Sequence, residues 1–159
     1  NVMAAGVAAE IMQQWVSDVL EGTGYYAYVN HDCSIYPQER LNVMLSVREA
    51  SDSGFENGSK KADIMEVLNI LRASLSEMSQ SLSSDAYMAD GKSRQSNVMA
   101  EEMKTGNYWL RSITRRYLDG KDFTKGYDAR INAVSPEKVR SIFASLDGGS
   151  KVEYVVRKR

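Results

Sequence analysis

The apolar residues of this chain change period at Gly22, and no other feature constrains its architecture as much. Over residues 2 to 21, Val7, Ile11, Met12, Trp15, Val16, Val19 and Leu20 recur at spacings of three and four, which puts them on one face of an amphipathic helix. Gly22 and Gly24 then stand where a helix end requires a left-handed backbone, and glycine adopts it without strain. From Tyr25 the period is two. Tyr25, Ala27, Val29, Cys33 and Ile35 point one way, and Tyr26, Tyr28, Asn30, Asp32 and Ser34 the other, as in a half-buried strand rich in aromatic and β-branched residues. After the turn "YPQER", Leu41, Val43, Leu45 and Val47 alternate with Asn42, Met44, Ser46 and Arg48, which predicts a second strand paired with the first as a hairpin.

"SDSGFENGSK" reads as a loop, and beyond it Ile64, Leu68, Leu71, Leu75, Met78 and Leu82 form a regular helical stripe, too short for a coiled coil and expected to pack on a sheet. "SLSSD" offers a cap for a helix from about 85 to 104, with Gly91 inside a thin apolar face. Gly106 marks a break, and Asn107 is a candidate cap for "NYWLRSITRRYLDGKD" as a further helix. Near the end Ser135 is a cap, Pro136 the first helical residue and Glu137 a first-turn acid, with Val139, Ile142, Phe143 and Leu146 as the buried face. "DGG" stops that helix, and "KVEYVVRK" reads as a closing strand with Val152, Tyr154 and Val156 on one side. The order predicts one α+β domain over residues 1 to 159: a small, mostly antiparallel sheet with helices over one face.

Composition narrows the function classes. Twenty basic residues balance twenty-one acidic ones, so no net field draws the chain to nucleic acid or to an anionic membrane. With 43% hydrophobic and 26% charged residues, the chain has the makeup of a soluble globular domain with a real core. No apolar run reaches the roughly 18 residues of a membrane span. Residues 1 to 20 have no basic leader and carry Glu10 and Asp18, unlike a signal peptide. The start, without Met or a cap before the first apolar residue, is expected of a piece of a longer chain. Neither the compartment nor the oligomeric state is readable from these residues.

Few constellations can carry chemistry. His31 shares a strand face with Cys33, but these are the only histidine and the only cysteine, and zinc needs three or four protein ligands. Side chains two apart on one strand run parallel, so His31 does not aim at Cys33 or at a serine as a general base. The "DGK", "GTG" and "DGGSK" stretches lack the spacing of a phosphate loop and read as turns. In "NYWLRSITRRYLDGKD", helical spacing puts Leu110, Ile113 and Tyr117 on one stripe with Trp109 at its edge, and Arg111 and Arg115 opposite. The expectation is therefore aromatics in the core and arginines in water. A single-strand nucleic-acid reader needs the two interleaved on one surface.

Taken together, "AAEIMQQWVSDVLEGTGYYAYV", "YPQERLNVMLSV", "NYWLRSITRRYLDGKD" and "INAVSPEKVRSIFASL" resemble the C-terminal, non-catalytic domain of zinc peptidases of the insulinase and pitrilysin family, over nearly the whole chain. The resemblance implies an α+β domain of the mitochondrial processing peptidase type, truncated before its first strand. Catalytic residues and metal ligands are then absent from this segment, since the family's inverted His-x-x-Glu-His motif requires two histidines. The zinc would belong to an N-terminal catalytic domain of the same protein or a partner subunit, and this domain would help enclose a peptide substrate. In active members a Leu-Arg pair follows the first helix, with a Tyr seven residues after the Arg reaching toward the substrate. Here Leu20 is followed by Glu21, and the residue seven later is Tyr28, so the resemblance assigns Tyr28 to substrate binding and reverses the charge at the Arg position. An inactive relative serving as an assembly module, as in respiratory-complex core subunits, is the alternative. Bacterial members of the family are often found in the cell envelope.

Overall fold

A computed structural model describes residues 2–34, 40–50, 62–80, 85–120, 122 and 124–156. The expectations for Ile35, the turn after it, the 51–60 loop, Leu82 and the cap at 81–84 lie outside these residues. The fold is α+β, with the element order α1 (Val2–Leu20), β1 (Tyr25–Ser34), β2 (Arg40–Glu49), α2 (Ile64–Gln80), α3 (Asp85–Glu102), α4 (Gly106–Asp119), α5 (Tyr127–Asn132) and α6 (Pro136–Asp147).

Helix α1 is the axis of the molecule. The sequence predicts a single apolar face, yet Ala4, Ala5, Gly6, Val7, Ala8 and Ala9 are all buried, because the hairpin, α3, α2, α5 and α6 pack around it. A run of such small side chains lets neighbours approach from several directions, and a helix apolar all round belongs inside. Its end follows the expected chemistry: Gly22 and Gly24 take φ values of 75° and 85°, and the Thr23 hydroxyl donates to the Leu20 carbonyl at 2.7 Å.

The reversed chain forms the expected antiparallel hairpin, with Tyr25 opposite Glu49 and Ser34 opposite Arg40. In this register Ala27 faces Val47, Val29 faces Leu45 and Cys33 faces Leu41, so both apolar alternations fall on the side that meets α1. Helix α1 also reaches the edge of β1. The Gln13 side-chain amide donates to the Ala27 carbonyl at 2.9 Å and accepts from the Val29 N–H at 2.8 Å. These are the two bonds that one residue of a parallel neighbouring strand would make.

Helix α2 packs on α6 and α1 and not, as its stripe predicts, on a sheet. Helix α1 already occupies the β1 side of the hairpin's inward face, and the later helices stack on α1 and on each other. Rotation of α2 toward α6 buries Val67, Leu71, Ser74 and Met78, leaving Ile64, Leu68 and Leu75 half-buried. Helix α3 lies close against α1 through Gly91, where an added Cβ would stand 2.6 Å from Ile11 Cγ1 and 3.4 Å from the Val7 carbonyl oxygen. Helix α6 has the predicted start, with the Ser135 hydroxyl accepting from the Lys138 N–H at 3.3 Å and Pro136 opening the helix. Val139 and Phe143 are fully buried beneath it, each worth roughly 1.5–3 kcal/mol of apolar transfer.

The closing strand is a correction. Residues 151–156 have no regular structure and pair with no strand among the described residues, and Val152, Tyr154 and Val156 are 96%, 87% and 77% exposed. Alternation alone does not make a strand, because an extended segment needs a neighbour for its N–H and C=O groups and an apolar surface for one face. The segment is tied down by side chains: Arg72 of α2 makes a two-pronged ion pair with Glu153, and Lys151 pairs with Asp147 at 2.8 Å.

Candidate functional site on the outer face of the hairpin

The alternation that buries Ala27 and Cys33 turns Tyr26, Tyr28, Asn30 and Asp32 outward on β1 and Asn42, Met44, Ser46 and Arg48 outward on β2. Tyr26 and Tyr28 are consecutive on this face, with ring centroids 5.5 Å apart and planes at 83°, the favourable edge-to-face arrangement. Tyr28 is opposite Ser46, Tyr26 opposite Arg48, and Met44 stands one pair further along, opposite Asn30. Tyr28 is 54% and Met44 59% exposed. The Tyr28 hydroxyl has no hydrogen bond within the described residues, so this ring offers both an apolar surface and an unused donor and acceptor.

Glu21 sits in the turn between α1 and β1, its N–H donating to the Asp18 carbonyl at 3.3 Å and its side chain exposed. Cys33 is buried, and its carbonyl accepts from the Arg115 guanidinium at 3.3 Å. His31 is exposed. Among the described residues no group of three His, Cys, Asp or Glu side chains is placed to hold a metal ion. A cleft of about 490 Å³ lies between the first turn of α1 and the start of α6, with Arg130 and Lys138 as its charged lining. Its described lining carries no carboxylate, His or Cys, and its hydroxyl, Ser135, serves as the cap of α6.

Helix α4 departs most from the sequence expectation. Its cap is Thr105, whose hydroxyl accepts from the Tyr108 N–H at 3.3 Å, two residues before the predicted Asn107. Among the described side chains of α4 only Tyr108 is buried; Leu110, Ile113 and Tyr117 are 66%, 52% and 87% exposed, and Leu118 is exposed too. The stripe expected in the core points away from it. Arg115, expected in water, turns inward to Cys33, while Trp109 is anchored at its edge by its indole N–H donating to the Met103 carbonyl at 2.8 Å. Spacing identified an apolar stripe but not which face packs: the other face carries the buried Tyr108, and Arg115 on it reaches the Cys33 carbonyl near the end of β1. Leu110, Ile113, Tyr117 and Leu118 thus leave an apolar stripe on the surface of α4.

The molecule is thus an α+β domain presenting an aromatic hairpin face and an apolar helix face. Comparison of the chain with models of protein families, with characterised proteins and with solved structures finds no match. No helix among the described residues is long and apolar enough to cross a membrane.

Proposed function

We propose that this chain is the substrate-enclosing, non-catalytic C-terminal domain of a zinc-dependent endopeptidase of the insulinase and pitrilysin type. One observation carries the reading: Tyr28, at the position the resemblance assigns to peptide contact, is half-exposed on the outer hairpin face with its hydroxyl unbonded and Tyr26 and Met44 beside it. Such a face suits an extended peptide, with rings to cover apolar side chains and a hydroxyl for the peptide backbone. The zinc, and the water it activates, would come from an N-terminal catalytic domain or a partner subunit. In this role the domain contributes wall and grip and no proton transfer.

The test uses the longer protein that contains this chain. Cleavage of a flexible peptide is expected, lost on chelation and restored by zinc. Replacing Tyr28 by Ala is expected to lower kcat/KM about 5- to 10-fold, equivalent to roughly 1–1.4 kcal/mol of lost binding, mainly through KM. A parent chain with neither an inverted zinc motif nor chelator-sensitive cleavage would sink the proposal.

A second reading, an inactive relative acting as an assembly module, is favoured by Glu21 at the usual Arg position and by the outward stripe of α4. The two separate on Glu21→Arg in the parent: a gain of peptidase activity from an inert protein supports the inactive relative, and robust activity with Glu21 in place rejects it.

A further inference from the structure

The two edges of the hairpin are treated differently. On β1, several of the backbone groups directed outward are met by side chains, the Ala27 carbonyl and Val29 N–H by Gln13 and the Cys33 carbonyl by Arg115. Blocking an edge in this way prevents pairing with another chain. On β2 the outward-directed residues are Leu41, Val43, Leu45 and Val47. The hydrogen-bonded pairs of the ladder are the even-numbered ones, the series to which the Ala50 N–H to Gly24 carbonyl bond of 2.9 Å belongs. Among the described residues nothing bonds the free N–H and C=O groups of these four. Every residue of β2 is at least partly exposed, so the apolar side of the hairpin is incompletely covered along this edge.

The same chain carries an unpaired segment of strand character. Residues 151–156, "KVEYVV", alternate Val152, Tyr154 and Val156 with Glu153 and Val155, and the first three are almost bare of contacts. We propose that residues 151–156 of one copy add as an antiparallel third strand to the free edge of β2 in a second copy. Setting Glu153 beside Arg48 places Tyr154 opposite Val47 and Val156 opposite Leu45. This register satisfies three conditions together. Tyr154 and Val156 extend the inward apolar face, Val47 and Leu45 are residues with free edge groups, and the outward charges are opposite in sign.

A second copy is the occupant because, in its own molecule, the segment follows α6 directly and is held by Arg72 on α2, which packs on α6 and α1 and not on the hairpin. Exchange substitutes the Arg48 contact for the Arg72 contact. Reciprocal donation closes the pair about a two-fold axis and leaves no free β2 edge.

Sedimentation equilibrium on the 159-residue chain, with amide hydrogen exchange, tests this. A concentration-dependent doubling of mass is expected, with slowed exchange at Leu45, Val47 and Tyr154. Tyr154→Pro removes an N–H that the ladder requires while leaving an exposed site unstrained, so it should return the chain to monomer. Arg72→Ala, which releases the segment, should tighten the dimer several-fold. Glu153→Arg should weaken it, and adding Arg48→Glu should restore it. A chain that stays monomeric at every concentration overturns the proposal, including one with protected Leu45 and Val47 amides, which would mean that the segment folds onto its own hairpin. A dimer indifferent to Tyr154→Pro also overturns it and would move the interface elsewhere, the α4 stripe included.

Discussion

Gly91 shows how one missing methyl group sets a helix crossing. A Cβ there would meet Ile11 Cγ1 at 2.6 Å, and Ile11 is fully buried and β-branched, so it has no free rotamer to retreat into. Gly91→Ala should gain up to about 1 kcal/mol of helix propensity, against an overpacking penalty of roughly 1–3 kcal/mol. The penalty is expected to win, lowering the urea midpoint with little change in slope, and a raised midpoint would mean that α1 and α3 can separate without loss. Gln95 marks the same crossing from the other side, packed on Gly6 with its Oε1 buried and unbonded. In the sequence, Gly91 reads only as a weakness in a thin apolar face. Propensity scores a glycine by what it costs its own helix, and close approach to a second helix has no local signature.

At the scale of elements, α4 separates two properties that usually coincide, amphipathicity and burial. Tyr108→Ala removes the helix's buried ring and should destabilise the domain by about 2–4 kcal/mol. Leu110→Ser and Ile113→Ser, on the stripe that looks like the core face in sequence, should each change stability by less than about 0.5 kcal/mol. Chemical denaturation of the three variants checks this, and equal losses at Leu110 and Tyr108 would refute the observed orientation. The contrast defines how much of the fold was legible. Where the partner is adjacent in sequence, the two strands of the hairpin were legible with their faces, and α1 with its glycine stop and its main apolar face, though not the burial of Ala4 to Ala9 on every side. Helix α6, whose Ser135–Pro136 start is local chemistry, was legible too. The faces of α2 and α4 and the state of residues 151–156 depend on distant partners, and a periodic stripe records that a face is apolar without recording what meets it. The six-residue α5 is too short to show a period, and no element was expected there. Of the candidate site, alternation put Tyr28 on the face opposite Ala27 and Cys33, but a Tyr28 packed against helices was an equal expectation, so its exposure was not legible. Nor was the exposed stripe of α4.

Across the whole molecule, nearly balanced charge means that pH acts through individual groups and not through general repulsion. Bonds from the Thr124 hydroxyl and N–H hold the Asp122 carboxyl below its ordinary range, its own backbone N–H and the Ser135 hydroxyl do so for Glu137, and the Arg72 ion pair does so for Glu153. Each contributes stability that is present above the unfolded pKa and lost as the pH falls through the lower folded one. Glu10 runs the other way. Burial raises its pKa above the ordinary 4.5, with Arg94 pulling it down and Asp90 pushing it up. The folded state therefore holds this proton more tightly than the unfolded chain, and stability from this group declines as the pH rises through 4.5 toward the folded value. Glu10→Gln should raise the melting temperature at pH 7 and leave it nearly unchanged at pH 3, where the wild-type carboxyl is already neutral. A gain of equal size at both pH values would show that the effect is not ionisation.

The bidentate grip of Gln13 on β1 bears on the order in which the chain acquires its shape. Helix α1, the glycine turn and the hairpin make their mutual contacts within the first fifty residues, joined by a clamp that spans only fourteen to sixteen positions. Closing so short a loop takes little chain entropy, whereas docking α6 onto α1 requires more than a hundred intervening residues to be brought in. Residues 2–50 can therefore assemble before the helices that follow them are in place. The later helices then condense onto a surface that already has its final form.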